Sequence, residues 1–394
     1  MAEEHIEELS RLIETAGGSI VMRVMAKRNA PDSATYIGKG KAEEVKSAVK
    51  RAEATLVVFD DDLSPAQIRN LEKLIETKVI DRSALILDIF ARRARSREAR
   101  TQVELAQLEY MLPRLTRAWT HLERQAGGIG TRGVGETQLE IDRRLIRNRI
   151  AKLKLELQHI EKTRVTQRRG RRDVSTVALV GYTNAGKSTL FNQLAGGKAY
   201  AANQLFATLD AKLQKASFDA PRETVMIDTV GFIRKLPHHL VASFRSTMEE
   251  AASADLVLHV IDASHAAFEE QRTIGNAVLG DLGVEPARVI EVYNKSDLPL
   301  GVEDGDLPLS AIRVSALTGE GLESLIEAIC ERQFAGGRLV RLDIPSSEGK
   351  LLARLHEVAR IHRQTPHDDG VDLIAWIPEE QAHLFKEFEV VEAG

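Results

Sequence analysis

Short apolar runs alternate with helix-like segments from about residue 18 to residue 95. The runs GSIVMRVMA, TLVVFD and KVID predict strands, whereas KAEEVKSAVKRAE, SPAQIRNLEKLIE and SALILDIFARRA predict helices. Ser64 and Pro65 are typical of the N-cap and the first position of a helix. Because repeated strand–helix units indicate a small parallel sheet, we assign residues 1–97 to an N-terminal α/β domain.

Two helical seams of apolar residues follow. The first consists of Leu105, Leu108, Leu112, Leu115, Trp119 and Leu122, and the second of Ile146, Ile150, Leu153, Leu157 and Ile160. Spacings of three and four place such residues on one face of a helix, and two helices joined by a loop are expected to fold back on each other. We therefore predict that residues 98–172 form a long antiparallel helical hairpin, with a kink at Pro113 inside its first helix.

The rest of the chain returns to strands and helices. Residues 173–337 contain the continuous apolar runs TVALVG, TVMIDTVG, DLVLHVIDA, RVIEVYNKSD and AIRVSALTG. Runs of this kind are typical of buried parallel strands, so a domain with a mostly parallel sheet is predicted. In residues 338–394, RLVRLDI and VDLIAWI flank the helix-like SEGKLLARLHEVARI, which indicates a small C-terminal α/β domain. The predicted fold class is multidomain α/β.

Charge is distributed unevenly along the chain. The 394 residues have a net charge of −4, yet residues 91–172 contain 21 Lys and Arg against 9 Asp and Glu. That segment has a net charge of +12, which leaves −16 for the other residues. Such a concentration of positive charge in an acidic protein favours contact with a polyanion, and a solvated helical surface is the alternative.

Targeting signals and cysteines were considered next. The longest apolar runs are strand-sized, so no transmembrane span is expected. The N-terminal MAEEHIEELS lacks the apolar core of a signal peptide and the Arg-rich pattern of a transit peptide. The single cysteine, Cys330, cannot form an internal disulfide, which fits a reducing compartment. We expect a monomeric, cytoplasmic protein that reaches membranes, if at all, only peripherally through larger assemblies.

The sequence GYTNAGKS matches the phosphate-loop pattern G-x-x-x-x-G-K-[ST] and lies between an apolar strand and a helix. Its residues are Gly181, Tyr182, Thr183, Asn184, Ala185, Gly186, Lys187 and Ser188, and Thr189 comes next. Backbone N–H groups of such a loop hold phosphates at the helix N-terminus. We expect Lys187 to reach the β and γ phosphates and Ser188 to bind Mg²⁺.

Three short motifs at later strand ends complete the nucleotide-site prediction. They are DTVG (Asp228, Thr229, Val230, Gly231), NKSD (Asn294, Lys295, Ser296, Asp297) and SAL (Ser315, Ala316, Leu317). Asp228 is expected to bind Mg²⁺ through water, and the Gly231 amide to contact the γ-phosphate. Asp297 would accept hydrogen bonds from guanine N1–H and the exocyclic amine, a donor pair that adenine lacks. Because the motifs occur in order at strand ends, together they predict GTP and GDP as ligands.

Three positions bear on hydrolysis: Thr208, Phe232 and Asn184. The segment FATLD consists of Phe206, Ala207, Thr208, Leu209 and Asp210. Thr208 is the candidate switch residue that closes on Mg²⁺ and the γ-phosphate, and with Lys187 and Gly231 it forms the predicted catalytic set. Phe232 stands where many GTPases have a Gln that orients the attacking water. Either Phe232 packs while another group positions the water, or a partner or an ion completes the site. Asn184 either helps to hold a K⁺ ion or only caps the loop.

A second glycine-rich loop lies between the two seams, in RQAGGIGTRGVGETQLEIDRR. It has no lysine–hydroxyl pair, so a second nucleotide site is excluded. Glycines permit close approach to a crowded surface, and arginines contact phosphates. The residues proposed to contact RNA are Arg124, Gly127, Gly128, Gly130, Arg132, Gly133, Gly135, Arg143, Arg144 and Arg147. A tight turn is the alternative, but residues 127–138 are more than such a turn needs.

The motifs as a set resemble one family. GGIGTRGVGETQLEIDRR, GYTNAGKSTLFNQL, FATLD, DTVGFI, NKSD and SAL together look like the HflX family of P-loop GTPases, and TYIGKGKAEEV is similar to that family's N-terminal domain. The resemblance covers nearly the whole chain, and the glycine loop with ETQLE is its most specific part. The family usually has proline at the position of Val134. Valine does not fix the backbone as proline does, so the stiffness of this chain's loop differs from that of the family at this position.

The resemblance implies association with the large ribosomal subunit and its RNA, and splitting of ribosomes in stress or rescue. Two alternatives remain open from the residues. In the first, the hairpin docks a protein partner under GTP control. In the second, the chain is an accessory GTPase in RNA modification.

Overall fold

A computed structural model describes residues 2–26, 30–115, 138–169, 174–196, 206, 208, 211–218, 223–234, 251–299, 301, 307–308 and 311–390. The chain divides into two compact units. The first comprises Met1–Val165, Ala202–Asp210 and Ile233–Ser246, and the second Thr166–Ala201, Ala211–Phe232 and Thr247–Gly394. Among the described residues, no helix is both long and apolar enough to cross a membrane.

The N-terminal part of the first unit contains a small parallel sheet, as predicted. Strands β1 (Leu56–Phe59) and β2 (Lys78–Asp81) pair in parallel. The helices around them are Ala2–Thr15, Lys39–Ala52, Pro65–Ile75 and Arg82–Arg93. The predicted start at Ser64 is confirmed, because its side chain accepts a hydrogen bond from the Gln67 amide in a capping box and Pro65 is the first helical residue.

The strand predicted at GSIVMRVMA is wrong. Residues 18–26 form no strand, and the side chains of Val21, Met22, Val24 and Met25 are exposed. A strand exists only where its backbone groups pair with a neighbour, and the described sheet of this unit has the two strands β1 and β2. The apolar composition of this segment therefore indicated a strand that has no partner to pair with.

The basic segment contains two described helices, Arg97–Met111 and Gln138–Arg169, and the second extends past Val165, where the first stretch of the first unit ends. Their facing sides carry ion pairs between Arg97 and Glu156 at 2.6 Å and between Arg149 and Glu104 at 2.6 Å. A third pair joins Lys154 to Glu109 at 2.8 Å. The two helices are therefore linked by ion pairs, and the antiparallel hairpin stays a prediction. The second seam occupies the less exposed face of its helix, and its Leu153 is only 1% exposed.

The kink expected at Pro113 does not occur within an α-helix. The helix ends at Met111, and Leu112–Arg114 forms a 3₁₀ turn with Pro113 at its second position. Proline lacks the N–H that continues the α-helical pattern, so termination here follows from the same cause as the predicted kink. The rest of the first seam, Trp119 and Leu122, lies outside the described residues, as does the glycine loop.

Phe206 of the FATLD segment and Arg234, three residues after the DTVG glycine, belong to the first unit. Phe206 is 2% exposed, and its ring lies edge-on to Phe90 with ring centroids 4.6 Å apart. Arg82, at the start of the same helix as Phe90, pairs with Glu8 and with Asp60 and donates a hydrogen bond to the Arg234 carbonyl at 3.0 Å. Residues that flank the nucleotide motifs in sequence are therefore held by the helix Arg82–Arg93.

The second unit contains a six-stranded sheet in the order β4-β5-β3-β6-β7-β8. Its strands are Val174–Gly181, Lys212–Ala216, Glu223–Asp228, Leu256–Asp262, Val289–Asn294 and Ile312–Val314, numbered β3 to β8 along the chain. The short edge strand β4, not predicted from sequence, is antiparallel to β5, and every other pair is parallel. The helices are Lys187–Ala195, Phe268–Asp281 and Leu322–Phe334.

A smaller antiparallel sheet follows in the order β10-β11-β9. Strands β9 (Gly337–Pro345) and β11 (Gly370–Pro378) match the predicted runs, and the helix Gly349–Val358 lies between them in sequence. The short helix Glu379–Ala382 follows β11. Strand β10 (Arg360–His367) was not predicted, because RIHRQTPH is mostly exposed and polar at the edge of the sheet, where Pro366 is tolerated.

Candidate functional site

The predicted phosphate loop lies at the carboxyl end of β3, which is flanked by β5 and β6. After β3 the chain forms β4 and β5 on one side of it and then β6 on the other side. Parallel sheets bind ligands at such a reversal of strand order. The loop leads into the helix Lys187–Ala195. Gly186 has a φ of +95°, and a Cβ there would collide with the Asn294 amide, so only glycine fits.

Lys187 is buried beneath the loop that it follows. Its side chain is 6% exposed, and its Nζ donates a hydrogen bond to the Tyr182 carbonyl at 2.8 Å. Burial lowers the pKa of the Lys187 ammonium to about 8, and the Asp228 carboxylate opposes that shift. A phosphate group at the loop would stabilise the charged form further, because it brings negative charge close to the ammonium.

Ser188 and Asp228 form the predicted metal pair. The Ser188 hydroxyl donates a hydrogen bond to the Asp228 carboxylate at 2.7 Å, and Asp228 is fully buried at the end of β5. No cluster of three or more His, Cys, Asp or Glu side chains that would suit a metal occurs in the described ranges. One hydroxyl and one carboxylate nevertheless suit Mg²⁺, which takes its remaining ligands from phosphates and water. The residues present therefore fit the ion.

Gly231 and Phe232 lie directly against the phosphate loop. The Phe232 amide donates to the Gly181 carbonyl at 2.9 Å, and the Thr183 amide donates to the Phe232 carbonyl at 2.7 Å. Phe232 is 4% exposed, so its ring is packed rather than available to water. This placement fits the interpretation that Phe232 packs while some other group positions the attacking water.

The predicted base-recognition motifs meet through Asn294. Its side chain donates to the Ala185 carbonyl at 2.8 Å and accepts from the Ala316 amide at 2.9 Å. One amide thereby fixes the SAL segment to the phosphate loop. The buried Ser315 hydroxyl donates to Asp297 at 2.5 Å, which orients the carboxylate expected to read guanine. Leu317 is 75% exposed, and the role expected of SAL, donation of backbone N–H groups to the guanine O6, does not involve its side chain.

One member of this group was missed by the sequence analysis. Asp262, the last residue of β6, pairs with Lys295 at 2.6 Å and accepts hydrogen bonds from the backbone and hydroxyl of Ser264. Lys295 also has a positive φ of 68°, an uncommon backbone conformation for a residue other than glycine. The sequence offered one signal for Asp262: it is a carboxylate near the end of the apolar run DLVLHVIDA.

The FATLD segment is placed only in part. Phe206 and Thr208 belong to the first unit, and both are buried. Ala207, Leu209 and Asp210 lie outside the described residues. The switch role of Thr208 therefore stays a prediction.

The predicted RNA-binding residues divide in the same way. Arg143, Arg144 and Arg147 lie on the helix Gln138–Arg169, and Arg143 donates to the Leu115 carbonyl at 2.8 Å. Arg143 thus links its helix to the residue that follows the 3₁₀ turn Leu112–Arg114, while Arg147 is exposed. The other seven lie outside the described residues: Arg124, Gly127, Gly128, Gly130, Arg132, Gly133 and Gly135.

Three family models match successive parts of the chain. Residues 3–91 match the model described as GTP-binding GTPase N-terminal, and residues 93–171 the GTP-binding GTPase Middle Region. Residues 176–295 match the model described as 50S ribosome-binding GTPase. The third match contains the phosphate loop, DTVG and the beginning of NKSD.

Known proteins resemble the chain over most of its length. It is 46% identical to the GTPase HflX of Escherichia coli (strain K12), over 93% of this chain and 88% of that relative. It is 45% identical to the GTPase HflX of Caldanaerobacter subterraneus subsp. tengcongensis, over 95% of this chain and 87% of that relative. A solved GTP-binding protein of Sulfolobus solfataricus in complex with GDP is 26% identical over 84% of this chain and 96% of that one, with a TM-score of 0.44.

Proposed function

The chain belongs to the GTPase HflX family, and on that premise we propose that it is a Mg²⁺-dependent GTPase switch that binds the large ribosomal subunit and splits ribosomes. Hydrolysis of GTP follows from the family. The subunit, the splitting and the RNA-contacting loop are the parts that the proposal adds. We retain four functional parts for it: residues 1–97, the hairpin 98–172, the GTPase domain 173–337 and the C-terminal domain 338–394.

One observation carries the nucleotide assignment. The phosphate loop, the Ser188–Asp228 pair and the Asn294-linked base motifs all lie in one sheet unit, at the ends of β3, β5 and β7. Parallel strands bring their carboxyl ends to one edge, so these groups converge although they are far apart in sequence. A guanine nucleotide spans such an edge, with phosphates at the loop and the base at Asp297.

Each group then has a defined task. Backbone amides of residues 181–188 bind the phosphates, and Lys187 neutralises their charge. Ser188 and Asp228 hold Mg²⁺, with Thr208 as the proposed third protein ligand. Bound Mg²⁺ would neutralise charge that develops on the phosphate oxygens during hydrolysis. Gly231 offers its backbone N–H to the γ-phosphate, and the packed Phe232 keeps bulk water from that side.

A K⁺ ion beside Asn184 is a separate part of the proposal. Asn184 has a φ of 66°, and asparagine is one of the few residue types that tolerate this region. The loop conformation alone thus accounts for an asparagine here. Turnover compared in K⁺ and Na⁺ buffers tests whether the ion adds anything.

The ribosome assignment rests on charge and on family. Residues 91–172 carry 21 Lys and Arg against 9 Asp and Glu, a surface suited to RNA phosphates. The model that matches residues 176–295 is described as ribosome-binding, and this description refers to the 50S particle. We propose that the glycine loop at the end of the hairpin contacts folded RNA, which proteins recognise largely by shape and backbone.

Co-sedimentation with isolated ribosomal subunits tests this function. The full chain should pellet with large subunits in the presence of a non-hydrolysable GTP analogue and remain in the supernatant with GDP. Pelleting that ignores the nucleotide would contradict a switch, and absence of binding to large subunits would favour a protein partner for the hairpin. Binding to an unassembled RNA instead would favour the RNA-modification alternative.

A further inference from the structure

Thr183 has a side chain that its fold does not use. The residue is 7% exposed, and its hydroxyl oxygen is buried without a hydrogen-bond partner among the described residues. A buried hydroxyl with no partner is unfavourable, and native structures contain few such groups. The position could have been occupied by a residue without a hydroxyl, so a ligand that bonds to this oxygen would explain its presence.

The surroundings of Thr183 indicate which ligand that is. The Thr183 Cα and γ-methyl lie 2.8 Å and 2.9 Å from the point where a Cβ on Gly231 would be, and Lys187 Nζ lies 2.8 Å from the same point. The Cα and γ-methyl of Thr183, the Lys187 ammonium and the Gly231 backbone therefore border one small volume. Lys187 and Gly231 are the groups assigned to the terminal phosphate, so Thr183 lies beside that phosphate.

The same volume lacks a group that the reaction needs. A Gln side chain after the DTVG glycine orients the attacking water in many GTPases, and this chain has Phe232 there. The Phe232 ring is buried and has no polar atom, while the Phe232 carbonyl accepts a hydrogen bond from the Thr183 amide at 2.7 Å. Thr183 is thus hydrogen-bonded through its backbone to Phe232, the residue that stands in place of the Gln. Thr183 also carries a hydroxyl, which Phe232 lacks.

We propose that the Thr183 hydroxyl binds the attacking water at the γ-phosphate and so replaces the missing side-chain amide. The oxygen accepts a hydrogen bond from the water, and its own proton is donated to a γ-phosphate oxygen. The water oxygen bonds to the γ-phosphorus, the bond to the β–γ bridging oxygen breaks, and GDP leaves with that electron pair. One of the two water protons passes to an oxygen of the released phosphate, the other stays on the oxygen now bonded to phosphorus, and Thr183 keeps its own proton. The proposal rests on the assignment of Gly181–Ser188 as the phosphate loop.

A packing role for the γ-methyl group is the competing explanation, because the methyl lies close to Gly231. Two substitutions separate the roles. Thr183→Val keeps the shape and the methyl but has no hydroxyl, whereas Thr183→Ser keeps the hydroxyl and loses the methyl. A hydroxyl role predicts that only the valine variant is impaired, and a packing role predicts the reverse.

The test is single-turnover hydrolysis of GTP by the full chain, with protein in excess at saturating concentration. The maximal rate of Thr183→Val should fall on the order of 100-fold, comparable to removal of one transition-state hydrogen bond, while Thr183→Ser stays within about threefold of the natural chain. Affinity for GDP, measured with a fluorescent nucleotide, should be unchanged in both. Affinity for GDP with aluminium fluoride, which mimics the transferring phosphoryl group, should fall only in the valine variant.

Each other outcome overturns the proposal. A valine variant that hydrolyses GTP at the natural rate removes any role for the hydroxyl, and an equal loss in the serine variant assigns the effect to packing. The Lys187→Ala variant keeps this result distinct from the proposed function. If the natural chain binds GTP and Lys187→Ala does not, the phosphate-loop assignment stands whatever Thr183 does. If the natural chain does not bind GTP, both fail together.

Discussion

The Ser188 hydroxyl and the Asp228 carboxylate are joined by a hydrogen bond of 2.7 Å. Ser188 lies in the first turn of the helix Lys187–Ala195, and Asp228 is the last residue of β5, so two elements 40 positions apart in sequence supply this pair. The bond holds both oxygens in place before any ligand arrives. A Mg²⁺ ion that binds beside the pair meets oxygens that are already positioned.

Removal of that hydroxyl should uncouple nucleotide binding from Mg²⁺. In Ser188→Ala, GTP affinity should no longer rise when Mg²⁺ is added, because the ion loses one of its two described protein ligands. Fluorescent GTP titrated with Mg²⁺ and with a chelator measures this. Thr176→Val is a matched control, since the Thr176 hydroxyl bonds Asp255 near the start of β3. A Mg²⁺ response equal in all three proteins would contradict the metal assignment.

Exchange of the base-reading carboxylate should change nucleotide preference. In Asp297→Asn, guanine binding should weaken roughly 10- to 100-fold and xanthine binding should improve, because an amide reverses the donor and acceptor pattern. Titration with fluorescent GTP and XTP measures both. Ser315→Ala, which removes the hydrogen bond to Asp297, should weaken guanine binding without changing the preference. Unchanged preference in Asp297→Asn would exclude Asp297 as the guanine reader.

GTP binding should weaken at alkaline pH because Lys187 loses its proton. Burial lowers the pKa of Lys187 to about 8 in the nucleotide-free chain, and bound phosphates should raise it again. Binding then takes up a proton above pH 8, so GTP affinity should fall as pH rises through and beyond that value. Titrations from neutral pH upward measure the effect. Lys187→Arg stays charged across this pH range, so its GTP affinity should not fall with rising pH, whatever the value of that affinity. A GTP affinity of the natural chain that does not change with pH would contradict the prediction.

Acid should destabilise the GTPase domain through His259. Its side chain is 1% exposed, its Nδ1 lies 3.0 Å from Asn276 Oδ1, and burial lowers the pKa of His259 to about 4. The unfolded chain binds the proton near the ordinary pKa of about 6.5, so this stability is present above that pH and is lost as pH falls toward 4. Urea unfolding across this range measures the slope. In His259→Asn, the free energy of unfolding should depend less on pH, by the binding of one proton, whatever the overall stability of the variant. The same pH dependence in the variant and the natural chain would argue against this prediction.

The elements that were predictable from sequence are those whose signal is local. The strands β3, β5, β6 and β7 are continuous apolar runs because both faces are covered, and the helix at Pro65 begins with its own cap. Elements that depend on a neighbour were not predictable. Residues 18–26 have the composition of a strand without a partner, whereas β10 is a polar edge strand that exists because β11 pairs with it.

The candidate site divides in the same way. Fixed-spacing motifs identified Lys187, Ser188, Asp228 and Asp297, because ligand chemistry demands those residue types in that order. The pair Asp262–Lys295 joins residues 33 apart in sequence and has no motif of its own. The orphaned hydroxyl of Thr183 is likewise a property of packing, since the loop pattern allows any residue at that position.

Deletion of the glycine loop and charge reversal of the arginines should impair different steps: the deletion should abolish ribosome splitting, and the charge reversal should weaken ribosome binding. Removal of residues 127–138 should spare GTP binding, because the phosphate loop lies in another unit, and should abolish splitting while part of the ribosome affinity remains. Charge reversal at Arg144 and Arg147 should instead weaken ribosome binding and flatten its salt dependence, since fewer counterions are released. Sedimentation across a salt series measures affinity, with charge reversal at the exposed Arg354 of the C-terminal domain as control.

The loss of light scattering from intact ribosomes, followed after addition of the chain with a non-hydrolysable GTP analogue, tests the central claim most directly. The account predicts that scattering falls with the natural chain, stays constant with GDP, and stays constant with the chain that lacks residues 127–138. Ribosomes that remain intact with the natural chain and the GTP analogue would contradict ribosome splitting. Splitting at the natural rate by the loop-deleted chain would reduce the glycine loop to a turn between two helices.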